Sequence, residues 1–153
     1  MSSVNITVEM VEGVFPSEDR AVAFLCGHDD LTADPKFKKE SKTPLAKRLK
    51  HRMSLWIAKE PDQKGKYHRF KNEDPKYREC FVFIDLKKQV RVYGFTCHPK
   101  VDRGFELVLL IRWVQKKTDH TDYAELNRVL AWKDHFATHV ALRCAFSNTK
   151  VVN

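Results

Sequence analysis

Residues 66–85 read KYHRFKNEDPKYRECFVFID, and the first six alternate cationic with aromatic groups: Lys66, Tyr67, His68, Arg69, Phe70 and Lys71. In a strand, residues two apart share a face, so Arg69 and Lys71 point one way with Tyr67 beside them. Asn72, Glu73, Asp74 and Pro75 are turn chemistry, and Pro75 forbids a continuous central strand there. Tyr77 and Arg78 then lead into the apolar run Cys80, Phe81, Val82, Phe83, Ile84, which predicts a strand buried on both faces. The expected product is a hairpin that carries Arg69, Lys71 and Arg78 to one surface, a phosphate-binding arrangement. Such a set suits metal-free cleavage of RNA. That reaction needs the 2′-hydroxyl aligned on the neighbouring phosphorus, a group to accept its proton, and fixed positive charge on the phosphate oxygens. Clustered cations lower one another's proton affinity, so Lys71 is placed to exchange protons. Arg91 and Tyr93 beside the hairpin, and Lys116, Lys117 and His120 after a later strand, extend the supply.

Each of these residues also has a plain alternative. Arg69 and Lys71 suit solvated strand cations, Tyr77 a packed aromatic, and Arg78 a surface partner of Glu73 or Asp74. Lys116 and Lys117 suit exposed positions before a helix cap, and His120 a loop.

The charge balance favours a polyanionic partner. The chain of 153 residues carries a formal net charge of +8. Lys36, Lys38, Lys39, Lys42, Lys47, Arg48, Lys50 and Arg52 are interrupted only by Glu40, and Lys64, Lys66, Arg69, Lys71, Lys76 and Arg78 form a second cluster. Patches of this kind concentrate polyanions and give salt-dependent affinity. Lys47, Lys50 and Arg52 are therefore candidate RNA contacts, together with Tyr77, Arg91, Tyr93 and His120. An acidic protein would exploit the same charge.

The elements that must position these groups follow from patterning. Val4, Ile6, Val8 and Met10 alternate as a half-buried strand. Ser17, followed by Glu18 and Asp19, predicts a helix start that runs to Gly27. Residues 29–42 are polar and read as loop. Thr43 and Pro44 open a second helix, with Leu45 and Leu49 inward, and residues 54–59 read as a short strand. Residues 89–95 and 105–113 are further strands. Asp122 and Glu125 match a capping box that starts a helix to about residue 136, and the tail from 137 is ambiguous. The fold class expected is α+β: a twisted, mainly antiparallel sheet in a single domain, N-terminal helices on one face, a C-terminal helix, and a polar face left open.

The hairpin resembles the centre of RelE-type toxins, small bacterial ribonucleases that cut messenger RNA on the ribosome. The matching features are the cations Arg69 and Lys71, the pair Tyr77-Arg78 opening a central strand, and its end at Ile84-Asp85. Residues 109–118 (LLIRWVQKKT), a strand ending in Lys-Lys-Thr before a helix, resemble the related HigB toxins. The resemblance covers the middle and later part of the chain. It implies a RelE-like fold and a metal-independent endoribonuclease in the cytoplasm. It also implies messenger RNA and the ribosome as partners, and an antitoxin protein that neutralises the activity. Lys71 and Arg69 sit where the family places its base and phosphate-stabilising cations, and Arg78 where it places a further one. Lys116 or Lys117 is nearest to the family's later arginine, with Arg91 a rival. Asp119, His120 and Tyr123 are candidates for its C-terminal catalytic group. The alternatives are a ParE-like toxin, which inhibits DNA gyrase without cutting RNA, and an RNA-binding regulator.

No cofactor is expected. Five glycines leave no phosphate-cradling loop, and no GxSxG elbow is present. Cys26 with His28 and Cys97 with His98 lack zinc-site spacing, so no metal is expected either. The start, MSSVNITVEM, has no signal-peptide pattern, no run reaches membrane-spanning length, and the four cysteines read as free thiols of a reducing cytosol.

Overall fold

The computed structural model describes residues 5–100, 104–116 and 120–146. Its centre is a six-stranded sheet of order β1-β2-β6-β5-β4-β3. β1 (Thr7–Met10) and β2 (Arg20–Cys26) pair antiparallel, with Val8 opposite Leu25. Two helices, α1 (Ala33–Lys39) and α2 (Pro44–Ile57), lead to the edge strand β3 (Tyr67–Arg69). β4 (Cys80–Asp85), β5 (Val90–Cys97) and β6 (Glu106–Gln115) complete an antiparallel meander. β6 then returns alongside β2 in parallel, Ala21 opposite Leu107, so the sheet is mixed. Helices α3 (Tyr123–Lys133) and α4 (Phe136–Phe146) close the described chain.

Helices cover both faces. Alternate residues of the strands (Val22, Phe24, Phe81, Phe83, Val92, Val108) pack with Phe37 of α1 and with Leu45, Leu49, Met53 and Trp56 of α2. Their neighbours (Ala21, Leu25, Val82, Phe95, Leu107, Leu109) pack with Leu126, Val129 and Trp132 of α3 and Ala141 of α4. Period-two alternation with both sides apolar is what a covered strand requires. The expectation of α+β holds at that level, while the expected open polar face is not there. At the β3–β4–β5 end of the α3 side a groove opens, although its apolar wall residues are themselves buried.

Several expected elements differ. Residues 20–26 form a strand instead of a helix, because Ala21 to Cys26 are all buried and leave no polar stripe. Ser17 still caps, but its Oγ accepts the amides of Asp19 and Arg20 at 3.1 and 2.9 Å and closes a turn. The expected loop 29–42 contains α1, held by buried Ala33 and Phe37. Residues 54–57, read as strand, are the end of α2, since Met53, Trp56 and Ile57 continue the inward spacing of Leu45 and Leu49. The tail forms α4. The caps of α2 and α3 are as expected: Thr43 accepts from the Ala46 amide at 3.3 Å, and Asp122 from the Glu125 amide at 3.2 Å.

One irregularity re-aims a side chain. Between Tyr93 and Gly94 the register of β5 on β6 shifts, so Tyr93 opposes Arg112 while Gly94 opposes Leu110. The backbones meet closely there, and a Cβ on Gly94 would lie 2.2 Å from the Leu109 carbonyl oxygen. Past the bulge Arg112 turns to the α3 side. It donates to Glu125 Oε1 at 2.7 Å and to the Asp30 carbonyl at 2.8 Å.

Candidate functional site

The β3–β4–β5 end of the sheet borders a groove of about 610 Å³. Phe70, Val82, Ile84 and Tyr93 line its apolar part, and Lys64, His68, Arg91 and Thr121 add polar groups. A second hollow of about 330 Å³ shares Lys64, His68, Phe70 and Thr121 with it and adds Asp62, Lys71 and Glu73. The arrangement follows from β3. Tyr67 belongs to the core under α2, so His68 and Phe70 stand on the opposite side.

His68 has a defined tautomer. Its Nδ1 lies 2.8 Å from the Arg69 carbonyl oxygen, which only accepts, so Nδ1 carries the proton and Nε2 is the basic nitrogen. The ring packs edge-on against Phe70, centroids 5.0 Å apart. Phe70 in turn stacks on Tyr93 at 6.5 Å. Burial pushes the Tyr93 phenol well above its ordinary range, which keeps it protonated at neutral pH. Lys64 and Lys71 are exposed, and among the described residues no ion pair holds either one. An imidazole base, an arginine and two lysines around an apolar floor can hold a phosphodiester strand and exchange a proton with it.

The three cations of the expected hairpin do not converge. β3 stops at Arg69, a turn follows, and the 3-10 turn Pro75–Tyr77 leads to Arg78. Arg69 borders the smaller hollow, but its guanidinium turns back across the sheet: Nη1 donates to Glu106 Oε2 at 3.1 Å, and the group lies over the Phe81 ring. Glu106 is shared with Arg20 at 3.7 Å. Lys71 reaches the hollow, whereas Arg78 is exposed and is not part of its lining.

The remaining candidates are dispersed. Tyr77 is 4 % exposed and donates to Asn127 Oδ1 at 2.9 Å, and Tyr93 is 2 % exposed, so neither ring is open for a base to stack on both sides. Arg91 is buried and contributes to the groove wall. Lys116 is half-buried at the end of β6, where its amide donates to Gln89 O at 2.7 Å. Lys117 and Asp119 lie outside the described residues. His120 is exposed beside Thr121 of the groove, and the Tyr123 hydroxyl donates to Glu73.

Lys47 and Lys50 lie on α2, across the sheet from the groove. Arg52 on the same helix is committed to structure, with Nη1 donating to Asp85 Oδ1 at 3.0 Å and to the Ile84 carbonyl. Arg48 grips the same carboxylate through Nε at 2.7 Å and Nη2 at 3.0 Å, and the Lys88 amide donates at 2.9 Å. Asp85 is fully buried. Burial alone would raise its pKa, but the Arg48 hydrogen bonds, the Lys88 amide and Arg52 outweigh it and hold the carboxyl down at about 2.

The two thiol–imidazole pairs weighed as metal ligands stay apart. Cys97 pairs with Leu107, opposite Ala21, while Cys26 lies five residues further along β2, roughly 17 Å at strand rise. His98 is directed at the Phe105 carbonyl, and His28 packs against Trp132. His68 is a groove residue that the sequence left without a chemical role, and Lys64 entered there only as a member of the second cationic cluster. The signal for His68 was present in the alternation that puts it opposite Arg69 and beside Phe70. No protein-family model matches the chain, and no curated protein or solved structure matches it.

Proposed function

We propose that the chain is a metal-independent endoribonuclease of the RelE and HigB toxin kind, and that the groove beside β3 holds and cuts messenger RNA. The observation that carries the reading is the orientation of His68, whose Nδ1 is occupied by the Arg69 carbonyl and whose Nε2 is left as the base among Lys64, Lys71 and Arg91. In this scheme Nε2 takes the 2′-hydroxyl proton, the 2′ oxygen bonds to phosphorus as the P–O5′ bond breaks, Arg91 and Lys64 face the phosphate oxygens, and Lys71 protonates the departing 5′ oxygen, giving a 2′,3′-cyclic phosphate and a 5′-hydroxyl. Phe70 and Tyr93 supply an apolar floor against which a base rests. The role that the family resemblance gives to Lys71 as base passes here to His68, because Lys71 is exposed at the rim. Further support comes from the element order from β2 onward: a strand, two helices, a meander and two helices. The ribosome as the place of action, and an antitoxin as the partner, belong to the same proposal.

The test is induced expression in bacteria of the wild type and of His68→Ala and His68→Gln, with primer extension on cellular messages. Wild type is expected to arrest growth and cut messages, and the variants to cut about 10²–10⁴-fold more slowly while keeping the wild-type circular dichroism. Growth arrest without cleavage would replace this reading with a ParE-like, non-nuclease one. Absence of both arrest and cleavage would sink the toxin assignment.

A further inference from the structure

We propose a second site, independent of the groove: a divalent transition-metal site, for zinc by its donor chemistry, formed by Glu9, Cys26 and Asp34. One ligand atom from each residue, the Cys26 sulfur and a carboxylate oxygen of Glu9 and of Asp34, lies within 4.8 Å of the others. The fold explains why they meet. Thr7 pairs with Cys26 and Glu9 with Phe24, so Glu9 and Cys26 are diagonal neighbours on the α1 side of the β1–β2 ladder. Asp34, in the first turn of α1, is brought over the same place from above.

A second observation points to a missing ligand. Asp34 is 8 % exposed, and its Oδ1 is fully buried with no hydrogen-bond partner among the described residues. Its Oδ2 is 3.2 Å from Lys38 Nζ, which also lies 3.5 Å from Glu9 Oε1. A buried carboxylate oxygen is costly where, as here, the weak Cys26 thiol is the donor beside it among the described residues. Lys38 is an exposed counter-charge on a flexible stem and is able to swing away, whereas the thiol and Asp34 are fixed in the core.

The donor set selects the metal. One thiolate with two carboxylates suits a borderline-soft ion and argues against calcium or magnesium, which take oxygen alone. Donors around one zinc ion stand roughly 3.5 Å apart, so a set within 4.8 Å has to draw in slightly, and exposed Glu9 is the member free to move. Metal binding expels the thiol proton, because only the thiolate ligates; a water completes the tetrahedron. Burial, then the charges of Asp34 and Glu9 and a hydrogen bond to Asp34, push the Cys26 thiol up to about 12.

The experiment adds Co(II), then competing Zn(II), to the full chain and to its Cys26→Ser, Asp34→Asn and Cys144→Ser variants, each checked by circular dichroism. The proposal expects one equivalent of Co(II) and a thiolate-to-cobalt charge-transfer band in the near ultraviolet. The band survives Cys144→Ser, disappears in Cys26→Ser and is displaced by zinc. Asp34→Asn is expected to weaken zinc binding by at least about 100-fold, since losing a ligand costs no less than losing a partner that orients one. Should Cys26→Ser misfold, Asp34→Asn carries the test alone. Absence of the band, or zinc affinity unchanged in a folded Cys26→Ser or Asp34→Asn, overturns the site.

Discussion

Arg48 and Arg52 on α2 carry the same charge as Lys64 and Lys71 beside β3, yet the two pairs are held in different ways. The arginines meet at a fully buried carboxylate, and Asp85 receives hydrogen bonds from both and from the Lys88 amide. Their geometry ties α2 to the end of β4. The lysines stand in water around a hollow with no ion pair among the described residues. Arg69 shows the difference within one short strand. It extends from the same β3 as His68, but it faces the α2 side and is neutralised by Glu106. A cation that already has a buried or half-buried acid is part of the fold, and one that lacks a partner is available to an incoming phosphate.

The sharpest way to break this comparison is to set His68 against Arg69. Cleavage is expected to fall about 10²–10⁴-fold in His68→Ala but to stay within about tenfold of wild type in Arg69→Met, because only the first loses a proton-transfer group. Equal losses in message cleavage, with both proteins folded, would mean that Arg69 leaves Glu106 to reach the substrate.

Next in size is the structural pair. Asp85→Asn is expected to lower unfolding free energy by about 3 kcal/mol in urea titration, as removing one partner of a buried pair does. The same carboxylate sets an acid limit. Its folded pKa, about 2, is below its unfolded value of about 3.9, so its contribution is complete above roughly pH 4 and is lost as pH falls through 2. The amount at stake is about 3 kcal/mol. Wild type and Asp85→Asn should therefore draw together in stability as the pH is lowered through this window. A gap that persists at pH 2 would place the stabilisation in packing.

The smallest stability effect belongs to the groove. The double variant Lys64→Ala with Lys71→Ala should change stability by no more than about 0.5 kcal/mol. It should also make the logarithmic salt dependence of single-stranded RNA binding shallower by about 1.4, or about 0.7 per lost phosphate contact. An unaltered salt slope would remove both lysines from the interface and leave the α2 lysines as the surface to test.

Much of the frame was legible because local chemistry and tertiary packing agree there. The run from Cys80 to Ile84 is a buried strand, and the Thr43-Pro44 and Asp122–Glu125 signals start helices where their caps predict. Other stretches failed for identifiable reasons. At 20–26 a capping signal preceded a segment apolar on all sides, and burial between β1 and β6 outweighed it. At 54–57 the inward residues fit either a short strand or one more helical turn, and Trp56 meeting Phe81 across the core settles it.

What the sequence determined by itself is composition and local preference: a basic chain, a cation-rich segment around a turn, and an apolar central strand followed by further strands and a capped helix. The tertiary structure decided which cations are spent. Whether Arg52 is available depends on where Asp85 stands, and Asp85 is distant from Arg52 in the chain and adjacent only after folding. Likewise, Cys26 precedes a histidine in sequence but meets two carboxylates in space. Charge and donor type are written in the residues one at a time, while pairing is a property of distance, which the packing of α1 and α2 onto the sheet sets.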